Sequence, residues 1–195
     1  ITTESGDAEA RVVQERPTGF LNMGCVESVL QMYRGKTQQI PPMFSALKVD
    51  GERLYKLARK GITIEREPRD IEIFELNLLA LIGNEAKLFI RCSKGTYVRT
   101  LVEDIGESLG CGAHVRELRR LGVASFSIRD CITLDSILGL RRKYELLDPS
   151  LLPVDSALAG LPRVFVSEES RISLRHGKTI LVESLAPLGL VRIYS

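Results

Sequence analysis

The chain has 195 residues, a formal net charge of +2, and 44% hydrophobic against 27% charged side chains. This is the composition of an ordinary globular protein, long enough for one sizeable core or a core plus a small module. The charge is too small to announce a nucleic-acid binder. No apolar run approaches the roughly 18 to 20 residues that span a bilayer, so no membrane association is expected.

Residues 22–34 read as the first helix, with Cys25, Val26, Val29, Leu30 and Tyr33 on one side and Gly35 as its stop. Pro41-Pro42 forbids regular helix in the next stretch. "FSALKV" then predicts a strand, Asp50-Gly51 a turn, and 52–60 a short helix terminated by Gly61. "RDIEIFELNLLALI" and "AKLFIRC" predict an antiparallel hairpin joined through Gly83-Asn84.

From Thr96 onward, Val98, Leu101, Val102, Ile105 and Leu109 recur at helical spacing, with Thr96 as a natural N-cap. After that helix come a glycine-rich turn, a basic short helix in "VRELRRLG" and a further strand. "TLDSILGLRRKYELL" predicts the last helix of this part. The proline-rich stretch "DPSLLPVDSALAGLP" marks the boundary, and strand-like and short helical pieces alternate beyond it. The pattern predicts an α+β class, a mixed and largely antiparallel sheet flanked by helices. The expected organisation is a domain over 1–147, a linker over 148–152 and a smaller module over 153–195.

Position 1 is Ile, and "GLVRIYS" ends on what reads as an unfinished strand, so a fragment cut at both ends is expected. No charged-then-apolar leader is visible, and a cytoplasmic location follows as an expectation. The four cysteines, Cys25, Cys92, Cys111 and Cys131, form no CxxC pair and are read as buried thiols in a reducing compartment. Cys111 and His114 lack the second pair that a metal centre needs, so no metal site is expected.

The residues at the start of the 96–109 helix pose the chemical question. A helix amino end is already electropositive, and Arg99 adds a cation there that is mildly unfavourable unless an anion faces it. Two readings stay open. Tyr97 caps the edge of the core and Arg99 is a solvated charge, or the pair forms a site. In the second reading a guanidinium holds a carboxylate or phosphate, the ring stacks on a flat base, and Gly95 admits close approach.

Arg116, Arg119 and Arg120 would share one side of the predicted basic helix. Residues 48–69 hold seven Lys or Arg against four Asp or Glu. Two such patches suggest a polyanion partner, with Lys48 a candidate phosphate contact. Solvated helix faces are the plain alternative. Tyr55 reads as a core-edge residue, and His176 as a turn residue without chemistry. Glu103 and Asp104 are the nearest thing to paired carboxylates, and both read as solvated. No G-x-S-x-G, Walker loop or metal-ligand pair is present.

Three separated stretches carry something more specific: "QIPPMFSALKVDGERLYKLARKG", "KGTYVRTLVEDIGESLGCGAHVRELRRLGVASF" and "LLPVDSAL". In order and separation they resemble the signatures of the TruB family, bacterial pseudouridine synthases acting on the T-loop uridine at tRNA position 55. The resemblance runs from "TTESGDAEARVV" to the end. It implies the pseudouridine synthase fold followed by a truncated, small PUA-like RNA-binding domain.

It also implies roles. Arg99 would pair with a catalytic aspartate, Tyr97 would pack against the target base, and Leu118 would help wall the pocket. The aspartate itself belongs to a G-x-L-D-P-x-A-x-G motif that these residues lack. It is expected upstream of Ile1, so no catalytic residue is assigned in this chain, and the chain alone is expected to be inactive. Lys48, Arg116, Arg119 and Arg120 are the expected RNA contacts. The implied partner is the tRNA T-arm, with no protein partner, no cofactor and a monomeric state. Phe44 stands where the family often has tyrosine, and Leu121 where threonine is frequent. The rival reading is a non-catalytic RNA-binding or tRNA-chaperone module on the same fold.

Overall fold

A computed structural model describes residues 1–142, 151–182 and 189–195. Two short antiparallel strands, β1 (Thr2–Thr3) and β2 (Val12–Gln14), open the chain. Their connection carries Asp7, which bridges to Val115 in parallel. Helix α1 (Met23–Met32) starts where the Asn22 carboxamide accepts from the Cys25 N–H at 3.0 Å, and Val26 and Leu30 are its buried residues. It stops earlier than expected. Tyr33 is its C-cap, and Gly35, at φ 90°, instead opens β3 (Gly35–Gln39).

The strand expected over "FSALKV" shrinks to β4 (Lys48–Val49), which pairs with β5 (Glu52–Arg53). Asp50 and Gly51 both take positive φ, as a type I′ turn requires. That hairpin uses up the first residues of the predicted helix, so α2 is only Leu54–Arg59. Leu54 is its buried residue. The long hairpin forms as the alternation predicts, from β6 (Arg69–Ile82) and β7 (Glu85–Cys92), with positive φ at Gly83. The sheet order is β3-β6-β7, all antiparallel.

Helix α3 (Val98–Ser108) follows. Its Leu101 and Ile105 meet Val26 and Leu30 of α1 and Ile71, Ile73 and Leu76 of β6 in one apolar core. Each fully buried Leu or Ile there contributes about 1.5–3 kcal/mol. Tyr33 hydroxyl donates to the Asp104 carbonyl at 2.8 Å and ties α1 to α3.

The chain divides into two compact units, Ile1–Leu118 and Arg119–Ser195. The second holds the hairpin of β8 (Gly122–Val123) and β9 (Phe126–Ser127), helix α4 (Leu134–Arg142), strand β10 (Arg163–Phe165), helix α5 (Glu168–Arg175) and strand β11 (Arg192–Tyr194). β10 and β11 pair in parallel, so the closing "VRIYS" is strand as the sequence suggests. The tail of the helix predicted to 147 lies outside the described residues, as does most of the 148–152 linker. All four cysteines are free thiols. Of these only Cys111 is buried, and Cys131 is exposed, which corrects the expectation of four buried sulfurs.

Candidate active site

The entry to α3 is held from outside the helix. Gln39, the buried last residue of β3, donates its amide to the Tyr97 carbonyl at 3.1 Å and accepts from the Tyr97 N–H at 2.8 Å. Tyr97 is therefore the N-cap and makes no side-chain cap bond. Thr96, expected in that role, sits 3.4 Å from the Ser93 hydroxyl instead. A reciprocal pair of bonds from a distant strand outcompetes the local hydroxyl. Gly95, at φ 86°, supplies the left-handed backbone of the turn, and the space where a Cβ would stand is open.

The anion facing Arg99 is Asp7. Its Oδ2 lies 4.0 Å from the Arg99 Nη1, and both side chains are somewhat over one-third exposed. That separation is a charge contact and too long for a hydrogen bond, so the guanidinium keeps its donors. The Asp7 loop is braced from below: Val115 N–H donates to the Gly6 carbonyl at 2.8 Å, and Ala8 N–H donates to the Val115 carbonyl at 2.9 Å. Nothing in the sequence pairs residue 7 with residue 99. The only visible signal is an acid inside the glycine-containing turn of "ESGDAEA".

Beside this pair lies a cleft of about 530 Å³, walled by Ile40, Pro42 and Phe44, with Arg66 at one end and Thr100 and Glu103 from α3. Arg66 donates from Nη1 to the Pro41 carbonyl at 3.1 Å, while its Nε and the Thr100 hydroxyl are buried without a partner. Glu103 corrects its reading as solvated. It is half-buried, and that desolvation, reinforced by Asp104 and Glu107 and opposed by Arg99, lifts its carboxyl above the usual carboxylate range.

The basic residues are dispersed. Residues 117–121 form no helix, so Arg116, Arg119 and Arg120 do not line one helix side. Gly110 and Gly112, both at positive φ, end α3, and the Asp7–Val115 bridge draws the next backbone into an extended path. Arg116 forms an ion pair with Glu85 at the β6–β7 turn. Arg119 and Arg120 are exposed in the second unit, and Leu118, 63% exposed, does not line the cleft. Lys48 is exposed opposite Arg53 in the β4–β5 hairpin. Tyr55 lies below the Arg59 guanidinium, 5.4 Å from ring centroid, and its phenol is lowered by Arg53 first and then by Lys56 and Arg59. His176 caps the end of α5.

A family model described as TruB family pseudouridylate synthase (N terminal domain) matches residues 1–98. The chain belongs to the TruB family. A second model, tRNA pseudouridylate synthase B C-terminal domain, matches residues 99–159. The chain is 45% identical to tRNA pseudouridine synthase B of Stutzerimonas stutzeri, over 99% of the chain and 64% of that protein. It is 46% identical to the protein of that name from Pseudomonas fluorescens, over 98% of the chain and 63% of the relative. It thus spans just under two thirds of these relatives.

Among solved structures, a chain of a Cbf5–Nop10–Gar1 complex matches with a TM-score of 0.64 at 23% identity, covering 82% of this chain and 45% of its own. A chain of an H/ACA ribonucleoprotein bound to a substrate RNA containing 2′-deoxyuridine gives 0.59 at 20%, covering 86% and 45%. The α+β architecture is the pseudouridine synthase fold.

Proposed function

We propose that the protein carrying this chain isomerises uridine-55 in the T-loop of tRNA to pseudouridine. The reaction breaks the C–N bond between base and sugar, turns the base and rejoins it through carbon. The acid that attacks or stabilises the intermediate is an aspartate supplied from outside these 195 residues. One observation above all supports the reading. Arg99 stands at the amino end of α3 beside the cleft, and its nearest acid is at 4.0 Å, beyond hydrogen-bond reach.

A guanidinium and a helix amino end together would hold an arriving carboxylate ionised and aim it. Tyr97, half-buried one residue from Arg99 at the same helix start, would offer its ring to a base turned out of the RNA stack. Lys48 on the β4–β5 hairpin, together with Arg116, Arg119 and Arg120, would meet the phosphate backbone. Residues 153–195 would be the start of a PUA-like RNA-binding domain. The four free thiols support a reducing, cytoplasmic location, and a monomer is the proposed working state.

The test is pseudouridine formation in a T-arm transcript by the full-length protein. Product at the T-loop uridine is the expected outcome. Tight tRNA binding with no product would overturn the enzyme reading in favour of an RNA-binding module. Within an active protein, Arg99→Ala should lower turnover about 100- to 1000-fold while leaving tRNA affinity nearly unchanged. Equal loss of both would reduce Arg99 to a phosphate contact.

A further inference from the structure

Glu103 is a carboxylate in an unusual position. It lines the cleft, is half-buried, and takes part in no hydrogen bond or ion pair among the described residues. The β1–β2 connection approaches it closely at Gly6, at φ 68°, where an added Cβ would stand 2.7 Å from Glu103 Oε1. One helical turn earlier on the same face, the Thr100 hydroxyl is buried with no partner, as is Nε of Arg66, another residue lining the cleft. Each such orphan costs roughly 1–3 kcal/mol.

Among the described residues, the charged groups around Glu103 come from three places. On α3 they are Arg99, which favours its ionised form, and Asp104 and Glu107, which oppose it. On the β1–β2 connection they are Asp7, engaged with Arg99, and Glu4, paired with Arg11. Arg66 also lines the cleft, committed through Nη1 to the Pro41 carbonyl. One shared guanidinium therefore faces two carboxylates even before a polyanion arrives.

We infer that Glu103 meets the RNA as a neutral carboxyl, donating its proton to an oxygen or nitrogen acceptor of the substrate, so that tRNA binding takes up one proton at this residue. This rests on the cleft being the RNA site of the proposed enzyme. Water leaves the cleft on binding and phosphate charge comes near, and both disfavour a carboxylate there. A proton supplied to Glu103 removes the repulsion and creates a donor in the same step. The balance is simple: one proton from solvent enters with the RNA and leaves with the product. The sign follows. Affinity is highest at low pH and falls as pH rises through the range between the Glu103 ionisation in the free protein and that in the complex, by at most about tenfold per pH unit.

The experiment uses the full-length protein and a T-arm transcript. Binding isotherms from about pH 5 to about pH 8 are recorded for the wild type and Glu103→Gln. Calorimetry of the wild type in two buffers of different ionisation enthalpy counts the protons directly and needs no variant. Net uptake in the wild type, with a flattened pH dependence and tighter binding near neutrality in Glu103→Gln, is expected. Zero uptake, or the same pH slope in both proteins, would overturn the inference while leaving pseudouridine formation untouched. A wild type that does not bind the transcript at all would instead sink the enzyme reading on which it rests.

Discussion

In the unit Ile1–Leu118 ten hydrophobic residues are buried, and the seven that cluster together are all aliphatic and come from α1, β6 and α3. In the unit Arg119–Ser195 the one buried hydrophobic among the described residues is Val164, and beside it the buried residue is a cation, Arg192. Arg192 donates from Nε to the Leu161 carbonyl at 3.0 Å, from Nη2 to the Ala159 carbonyl at 3.1 Å, and from Nη1 to Asp155 at 3.1 Å. Tyr194 donates its hydroxyl to the same Asp155 oxygen. The contrast teaches that parallel pairing of β10 with β11 rests on directed polar bonds, whereas the three-stranded sheet rests on apolar burial. Burial is insensitive to pH and tolerant of small shifts. A polar lattice is neither.

The sharpest way to break the comparison is Leu101→Ala. It empties the middle of the first core and should cost about 2–5 kcal/mol in denaturant unfolding, with little change across neutral and mildly acid pH. A smaller loss would mean that the core seen here is not the main source of stability.

Gly106→Ala comes next. A helix-interior glycine replaced by alanine ordinarily gains about 1 kcal/mol. Here the added Cβ would lie 2.2 Å from the Ala113 backbone nitrogen, and the Gly106 carbonyl already accepts from Gly112 N–H at 2.9 Å. Overpacking against backbone outweighs propensity, so a net loss of about 1–3 kcal/mol is expected. A more stable variant would show that the turn after α3 is free to move.

The mildest effect belongs to the second unit. The Asp155 carboxyl is held below the usual range, chiefly by the Tyr194 hydroxyl and then by Arg192. A depressed carboxyl stabilises the fold above the ordinary aspartate range, and that contribution is lost as pH falls through its folded-state value. The protection of the Arg192–Tyr194 amides, taken as exchange relative to the intrinsic rate at each pH, should therefore fall in acid in the wild type. In Asp155→Asn that protection should be low already at neutral pH and nearly independent of acid. An unchanged exchange pattern would detach the polar lattice from the strand pairing.

Where the pattern was local, it could be read directly. The alternation of 69–92 around Gly83-Asn84, the apolar stripe of α1 and that of α3 all appear where the periodicity places them. Where the outcome depended on a distant partner, reading failed in definable ways. Thr96 lost the cap to Gln39, which lies 58 residues from Tyr97. The basic helix at 116–120 gave way to an extended path because the Asp7 bridge claims Val115. Glu103 looked solvated because no periodicity reveals that Gly6 and the 40–66 arm close over it.

Sequence by itself determined the family, the helices and strands built on dense apolar repeats, and the presence of a cation at the start of α3. Those are properties of side-chain order along one element, and burial against any neighbour realises them. Only the tertiary structure decided that the cation faces Asp7, that Glu103 stands in a cleft beside it, and that Arg116, Arg119 and Arg120 share no helix face. Charge contacts, desolvation and steric exclusion depend on through-space distance between segments that the chain brings together only on folding.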